Sequence, residues 1–285
     1  MYTTLITAEQ LKALQMSGQP YLVFDCSYDL MKPEDGAAMY LQGHIAGAVR
    51  ADLNQHLSAH GGGATASGGR HPLPTREEFA AWLASVGFSS DMQAVVYDRQ
   101  SANYCGRLWW MLKWVGVEAA AVLDGGLQVW EAAQGTVATG PQAPRVASNF
   151  KPAAAKATLV SSQDVTARLG RPSQTVIDAR AAARFRGEVE PLDPVAGHIP
   201  GALNRPFGDN IGVDGKFKAA EQLKAEFLEL LGSRDPASVV HQCGSGVSAV
   251  PNLLAMEIAG LGHAALYAGS WSEWCSDPAR PVARG

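Results

Sequence analysis

Short apolar runs alternate with helix-period patterns along most of the chain. "YLVFD" at 21–25, "AVVYD" at 94–98, "TVID" at 175–178 and "ASVVHQ" at 237–242 are brief and almost continuously apolar, which predicts buried strands of a parallel sheet. Between them lie helical patterns. "TREEFAAWLASVGF" opens on Thr75 with Glu78 three positions later, the signature of a capped helix start. "ANYCGRLWWMLKWVG", "LQVWEAAQG", "SSQDVTARLG", "AEQLKAEFLELLG" and "GVSAVPNLLAMEIAGLG" predict further helices, and "AAAVLDGG" and "AALYAG" further strands. Such alternation predicts an α/β fold, a mostly parallel sheet with helices on both faces, whose ligands bind outside the carboxyl ends of the strands.

The pattern occurs twice. Asp25 and Asp178 each end an apolar run, 153 residues apart; "GHIAGAVRADL" from Gly43 returns as "GHIPGALNRPF" from Gly197, 154 apart. "AVVYDRQ" at 94–100 matches "SVVHQCG" at 238–244, and "DGGLQVW" at 124–130 matches "AGSWSEW" at 268–274, both at a spacing of 144. Four landmarks in one order predict two tandem copies of one domain, over 1–138 and 158–285. The Ala- and Pro-rich stretch at 139–157 reads as a linker.

Composition narrows the function classes. The 285 residues are 47% apolar and 18% charged, a globular balance, and a net charge of −4 carries no footprint for nucleic acid or an anionic membrane. No apolar stretch is long enough to span a bilayer, and the first residues lack the pattern of a secretory signal. Cys26, Cys105, Cys243 and Cys275 stand far apart without a CxxC pair, which fits a reducing cytoplasm rather than a disulfide or zinc framework.

Cys243 is the residue with chemical promise. It follows a predicted central strand and opens a small-residue loop, Gly244, Ser245, Gly246, Val247 and Ser248, ahead of a helix. Glycines at 244 and 246 permit left-handed backbone, so the loop is expected to curl its N–H groups into an anion-holding nest with the thiol partly exposed at its mouth. Such dipoles favour a thiolate over a thiol of ordinary pKa near ~8.5 without a neighbouring base. A cysteine phosphatase would need an arginine six positions after the cysteine, where Ala249 stands. The first copy has Arg99 at the nucleophile position, so one copy is active and the other degenerate.

These features resemble the two-domain rhodanese-type sulfurtransferases: "CGSGVSA" at 243–249 is similar to the loop of the 3-mercaptopyruvate-using branch, with "GHIPGA", "DARAAARFRGE", "RLWWMLKW", "DGG" and "GSWSEW" alongside. Thiosulfate-using relatives carry a more basic loop resembling C-R-K-G-V-T. The resemblance implies that Cys243 takes a sulfane sulfur as a persulfide and passes it to a thiol, cyanide or a thiol carrier protein, with no cofactor or metal. It also implies a thiosulfate:cyanide sulfurtransferase as the near alternative, and a non-catalytic binding or redox-sensing module as the distant one. Arg184 matches the family's substrate-binding arginine; its other reading is a surface arginine paired with Glu188 or Glu190. A second arginine expected nearby is replaced by Leu192, leaving Arg186 or Arg205 to reach in. Ser245 and Ser248 match polar positions that orient the thiolate or leaving enolate, or else they cap the following helix. His71 matches an entrance histidine or is a plain surface residue, beside a flexible loop at Gly61–Gly63 and Gly68–Gly69. His44 and His198 recur in both copies, as do Asp25 and Asp178, which assigns them to the fold. His241 reads as strand packing, and Trp109, Trp110 and Trp114 as core or interdomain packing.

Overall fold

The computed structural model describes residues 1–285, which divide into two compact units. One comprises Met1–Ala64, Pro74–Lys156 and Asp214–Lys216; the other comprises Thr65–Leu73, Ala157–Val213 and Phe217–Gly285. Thr65–Leu73, a piece of the first sequence repeat, therefore belongs with the second unit.

The first unit contains β1 (Leu5–Ile6), β2 (Tyr21–Asp25), β3 (His44–Ile45), β4 (Val49–Arg50), β5 (Gln93–Tyr97), β6 (Ala120–Leu123) and β7 (Val137–Ala138). Its helices are α1 (Ala8–Met16), α2 (Asp35–Gln42), α3 (Arg76–Ser85), α4 (Cys105–Trp114) and α5 (Gly126–Ala132). The second unit has β8 (Thr158–Leu159), β9 (Thr175–Asp178), β10 (Leu203–Asn204), β11 (Val239–Gln242) and β12 (Ala265–Leu266). Its helices are α6 (Ser162–Ala167), α7 (Ala182–Phe185), α8 (Ala220–Leu231), α9 (Val250–Ile258) and α10 (Ser270–Trp274).

The two main sheets run β1-β6-β5-β2-β4 and β8-β12-β11-β9-β10, with every pair parallel. Replacing each strand by its repeat partner converts one order into the other, so the repetition extends to topology. The only other pairing between named strands is a short antiparallel ladder of β3 with β7, at Ile45 opposite Val137.

Strand alternation explains why helices cover both faces. On β2, Val23 joins Leu11 and Leu14 of α1 and Trp130 of α5 in one core, while Phe24 turns to Trp82 of α3 and Phe88. On β11, Val240 packs with Val165 of α6 and Trp271 and Trp274 of α10, and His241 faces Phe227 of α8 and Met256 of α9. Burial, with Arg205 adding to it, holds the His241 imidazole down to about 3, so it is a neutral packing residue. Thr75 and Ser161 cap α3 and α6, each in a reciprocal box with the residue three positions on.

The recurrent residues serve the fold in both copies. His44 stacks on Tyr40 and its Nδ1 meets the Tyr40 carbonyl at 2.8 Å; His198 stacks on Phe185 and meets the Phe185 carbonyl at 2.8 Å. Trp109, Trp110 and Trp114 are buried on α4 within the first unit. Arg99 sends its guanidinium to Asp25, Ser27 and the carbonyls of Met39 and Gly43, filling with a structural cation the place where the other copy has a thiol.

Candidate functional site

Cys243 lies immediately beyond β11, the middle strand of the second sheet. The α10 segment secures the start of its loop: Cys243 N–H donates to Ser270 Oγ at 3.1 Å, and the Cys243 and Gly244 carbonyls accept from the N–H of Trp271 and Ser272 at 3.0 and 2.9 Å. The amides of Gly244, Ser245, Val247, Ser248 and Ala249, by contrast, donate to no acceptor in the chain. All but Ser248 belong to buried residues, where unpaired N–H groups are costly. A run of free donors beside a cysteine is what a group carrying negative charge requires.

Four details depart from the sequence expectations. Only Gly246 has left-handed backbone, with φ +74°; a Cβ there would lie 2.2 Å from the Ala268 carbonyl oxygen, so the tight packing of this turn requires glycine. Gly244 has no such constraint and instead leaves room for two arginines. The thiol is not partly exposed: Cys243 is 2% accessible, with the α10 segment hydrogen-bonded to its backbone and two guanidiniums beside the next residue. Neither serine caps the next helix, since α9 begins at Val250, with Pro251 in its first turn, behind Ala249.

Ser245 is buried and its Oγ lies 2.7 Å from His71 Nδ1. His71 is itself buried, so it is not a surface residue, and Ser248 is half-buried. Gly68 and Gly69 are not a flexible tether. They are packed against the α10 segment: a side chain at Gly69 would meet the Gly269 carbonyl at 2.4 Å, and Arg70 N–H donates to Ser272 Oγ at 2.9 Å. Small residues thereby bring Thr65–Leu73 close enough to deliver His71 and Arg70.

Arg70 was missed in the sequence. A side chain begun at Gly244 would meet Arg70 Nη2 at 3.2 Å and Arg184 Nη1 at 3.6 Å, which places both guanidiniums beside the residue after Cys243. The neighbouring glycines and His71 marked the segment, but nothing local in it shows that Arg70 meets a residue 123 positions away. The residues proposed to replace the absent arginine at Leu192 are engaged elsewhere. Arg186 pairs with exposed Glu188, and Arg205 is tied to Asn210 and Glu226 over the Phe227 ring.

Carboxylates hold the arginines in place. Arg180 bridges Asp178 and Glu190; Arg184 contacts Glu190 at 2.6 Å and Asp193 at 3.3 Å; Arg70 contacts Asp193 at 2.6 Å. Arg184 thus pairs with Glu190, a buried rather than a surface partner, while its guanidinium also lies beside the cysteine loop. Burial pushes the Glu190 carboxyl up, but the Arg184 hydrogen bond and charge and the amides of Leu192 and Asp193 outweigh it, and it lies below the ordinary range. Asp193 goes the other way: burial raises it despite Arg70. Among the other cysteines, burial raises the thiols of Cys26 and Cys105 strongly and that of Cys275 less so.

Comparison with known proteins identifies the family and the fold. The Rhodanese-like domain family matches residues 7–133 and again 161–277. A Pseudomonas aeruginosa protein named "Probable 3-mercaptopyruvate sulfurtransferase" is 46% identical over 283 residues, covering 99% of this chain and 98% of that one. A Mycobacterium tuberculosis protein named "Putative thiosulfate sulfurtransferase SseB" is 41% identical, covering 99% and 97%. The crystal structure of SseA from Escherichia coli, described with the rhodanese fold and catalytic mechanism of 3-mercaptopyruvate sulfotransferases, has TM-score 0.79 at 32% identity, covering 95% of this chain and 100% of that one. With two matched domains, the same strand order in both and a cysteine loop in the second alone, the chain belongs to the rhodanese-like family as a tandem-domain sulfurtransferase.

Proposed function

We propose that this protein moves a sulfane sulfur from 3-mercaptopyruvate to a thiol or cyanide acceptor through a persulfide on Cys243. The observation that carries the reading is the loop of unpartnered amides around Cys243, with two guanidiniums against Gly244. The Cys243 thiolate attacks the donor sulfur; an S–S bond forms and the C–S bond breaks. Its electron pair leaves on the enolate of pyruvate, which then takes up a proton. In the second half-reaction the acceptor attacks the outer sulfur and returns the Cys243 thiolate. Arg70 and Arg184 bind the donor carboxylate, for which a guanidinium fork is suited. Ser245, hydrogen-bonded to His71, donates to the developing enolate oxygen, and Ser248 supplies a second hydroxyl to the loop. A protein thiol carrier as acceptor and a cytoplasmic location belong to the same reading, the latter supported by four unpaired cysteines.

Thiosulfate is the second reading, since two guanidiniums beside the loop can bind an anionic donor of another kind. Intact-mass spectrometry after incubation with each donor tests both. A gain of one sulfur atom from 3-mercaptopyruvate, lost in Cys243→Ser and kept in Cys105→Ser, is the expected result. A much higher kcat/KM for thiosulfate would reverse the choice of donor. An unchanged mass with either donor would leave a binding or redox module.

A further inference from the structure

The cluster beside Cys243 already contains an anion. Asp193 places Oδ1 2.6 Å from Arg70 and Oδ2 3.3 Å from Arg184, and its side chain is almost wholly buried. One carboxylate therefore spans both guanidiniums with an oxygen on each, as a donor carboxylate would. We infer that Asp193 is the resting counter-anion of the Arg70–Arg184 pair, a built-in competitor that the donor displaces, and that it sets both the apparent affinity and the charge selectivity of the site. The inference rests on the reading of that pair as the donor's anion site.

Charge accounting shows why displacement matters. Arg70, Arg180 and Arg184 face Asp178, Glu190 and Asp193, so the cluster is neutral with Asp193 in place. With Asp193 turned away it has one positive charge in excess, which matches a monocarboxylate better than a dianion. The other two carboxylates are too well fastened to exchange. Asp178 is fully buried at the end of β9, gripped by Arg180 Nε and Nη2, and accepts from the Arg180 amide. Glu190 accepts from two arginines and from the amides of Leu192 and Asp193. Asp193 accepts from the two guanidiniums and no backbone amide, and it sits in the irregular segment between Pro191 and Pro194. It is the anion of the three with least to lose by leaving. The fraction of molecules in which it has left scales the apparent affinity of any donor.

Alkylation of Cys243 by iodoacetate and iodoacetamide tests this without using sulfur transfer. The two reagents transfer similar carbon groups, displace iodide and differ by one negative charge. The rates are read on the Cys243 peptide by mass spectrometry. In the natural protein the iodoacetate-to-iodoacetamide rate ratio is expected to be no higher than for glutathione under the same conditions, because Asp193 already neutralises the pair. Asp193→Asn should raise the ratio roughly tenfold, since a competing unit charge within hydrogen-bond distance of both guanidiniums is gone. It should also lower KM for 3-mercaptopyruvate by a larger factor than it changes kcat. Asp193→Glu, which keeps the charge, should keep the low ratio. An unchanged ratio in Asp193→Asn overturns the inference. So does a natural-protein ratio well above that of glutathione, a result that decides the matter even if the variant does not fold. No reaction with either reagent in both proteins also overturns it. If the natural protein forms no persulfide from 3-mercaptopyruvate, it is the functional reading that fails, and the alkylation ratio still reports on Asp193.

Discussion

Gly246→Ala probes the loop at the point where its geometry is most constrained. The residue sits at φ +74°, a conformation that costs an alanine about 1–2 kcal/mol. The added Cβ would also lie 2.2 Å from the Ala268 oxygen and 2.8 Å from the Ala268 carbonyl carbon and Cα. Ala268 has little freedom to retreat. Tyr267 before it donates to the His241 carbonyl at 2.9 Å, and Trp271 beyond it donates to the Cys243 carbonyl at 3.0 Å. The displacement, about 1 Å for an ordinary contact distance, therefore falls on the cysteine loop, and overpacking of this kind costs a further ~1–3 kcal/mol. The total is about 2–5 kcal/mol, which in a unit of this size lowers its melting temperature by roughly 8–20 °C. A reactive group moved by about 1 Å also loses on the order of 100-fold in rate. Gly244→Ala is the contrast: its Cβ meets no backbone, only the side-chain ends of Arg70 and Arg184, at 3.2 and 3.6 Å. That variant should melt within a few degrees of the natural protein and show its defect in KM. Calorimetry and persulfide formation on the two variants measure both quantities. A Gly246→Ala protein with unaltered melting and unaltered rate would show that the turn is not under the constraint described.

Three further expectations follow from particular contacts. Leu192→Arg should change KM for 3-mercaptopyruvate by less than about twofold, because Arg70 already supplies the second guanidinium; a large drop in KM would show that the site lacks one. His241 is charged in the unfolded chain below about 6.5 but neutral in the fold down to about 3, so the unfolded state binds the extra proton in that window. Stability from this residue is complete above the window and is lost as pH falls through it, by about 2 kcal/mol at pH 5. Urea denaturation at pH 7 and pH 5 should show a smaller difference in His241→Leu than in the natural protein, and an equal difference would refute the assignment. His71→Gln should reduce kcat more than KM in steady-state assays if its bond to Ser245 serves the leaving enolate; a change confined to KM would give His71 a binding role instead.

The double fold was legible because the signals for it are local and repeated. Strand-end aspartates and GHI motifs recur at nearly constant spacing, 153 and 154 residues apart, within short windows of matching residue type. His44 and His198 illustrate this: the same ring stacks on an aromatic from the preceding helix in both copies. Cys243 was likewise apparent from its position after an apolar strand and before a run of small residues. The accessibility of the thiol was not, because the segments packed beside its loop are 27 or more residues distant in sequence.

The sequence by itself therefore determined the fold class, the duplication and the single loop able to carry a nucleophile, since each depends on periodicity and residue type over short windows. Only the tertiary structure decided which charges gather around that loop. Arg70 and Asp193 are 123 residues apart and meet because Gly68 and Gly69 allow Thr65–Leu73 to pack against the α10 segment. Electrostatic partnership depends on distance in space, which a pattern read along the chain reports only for near neighbours such as Arg184 and Glu190.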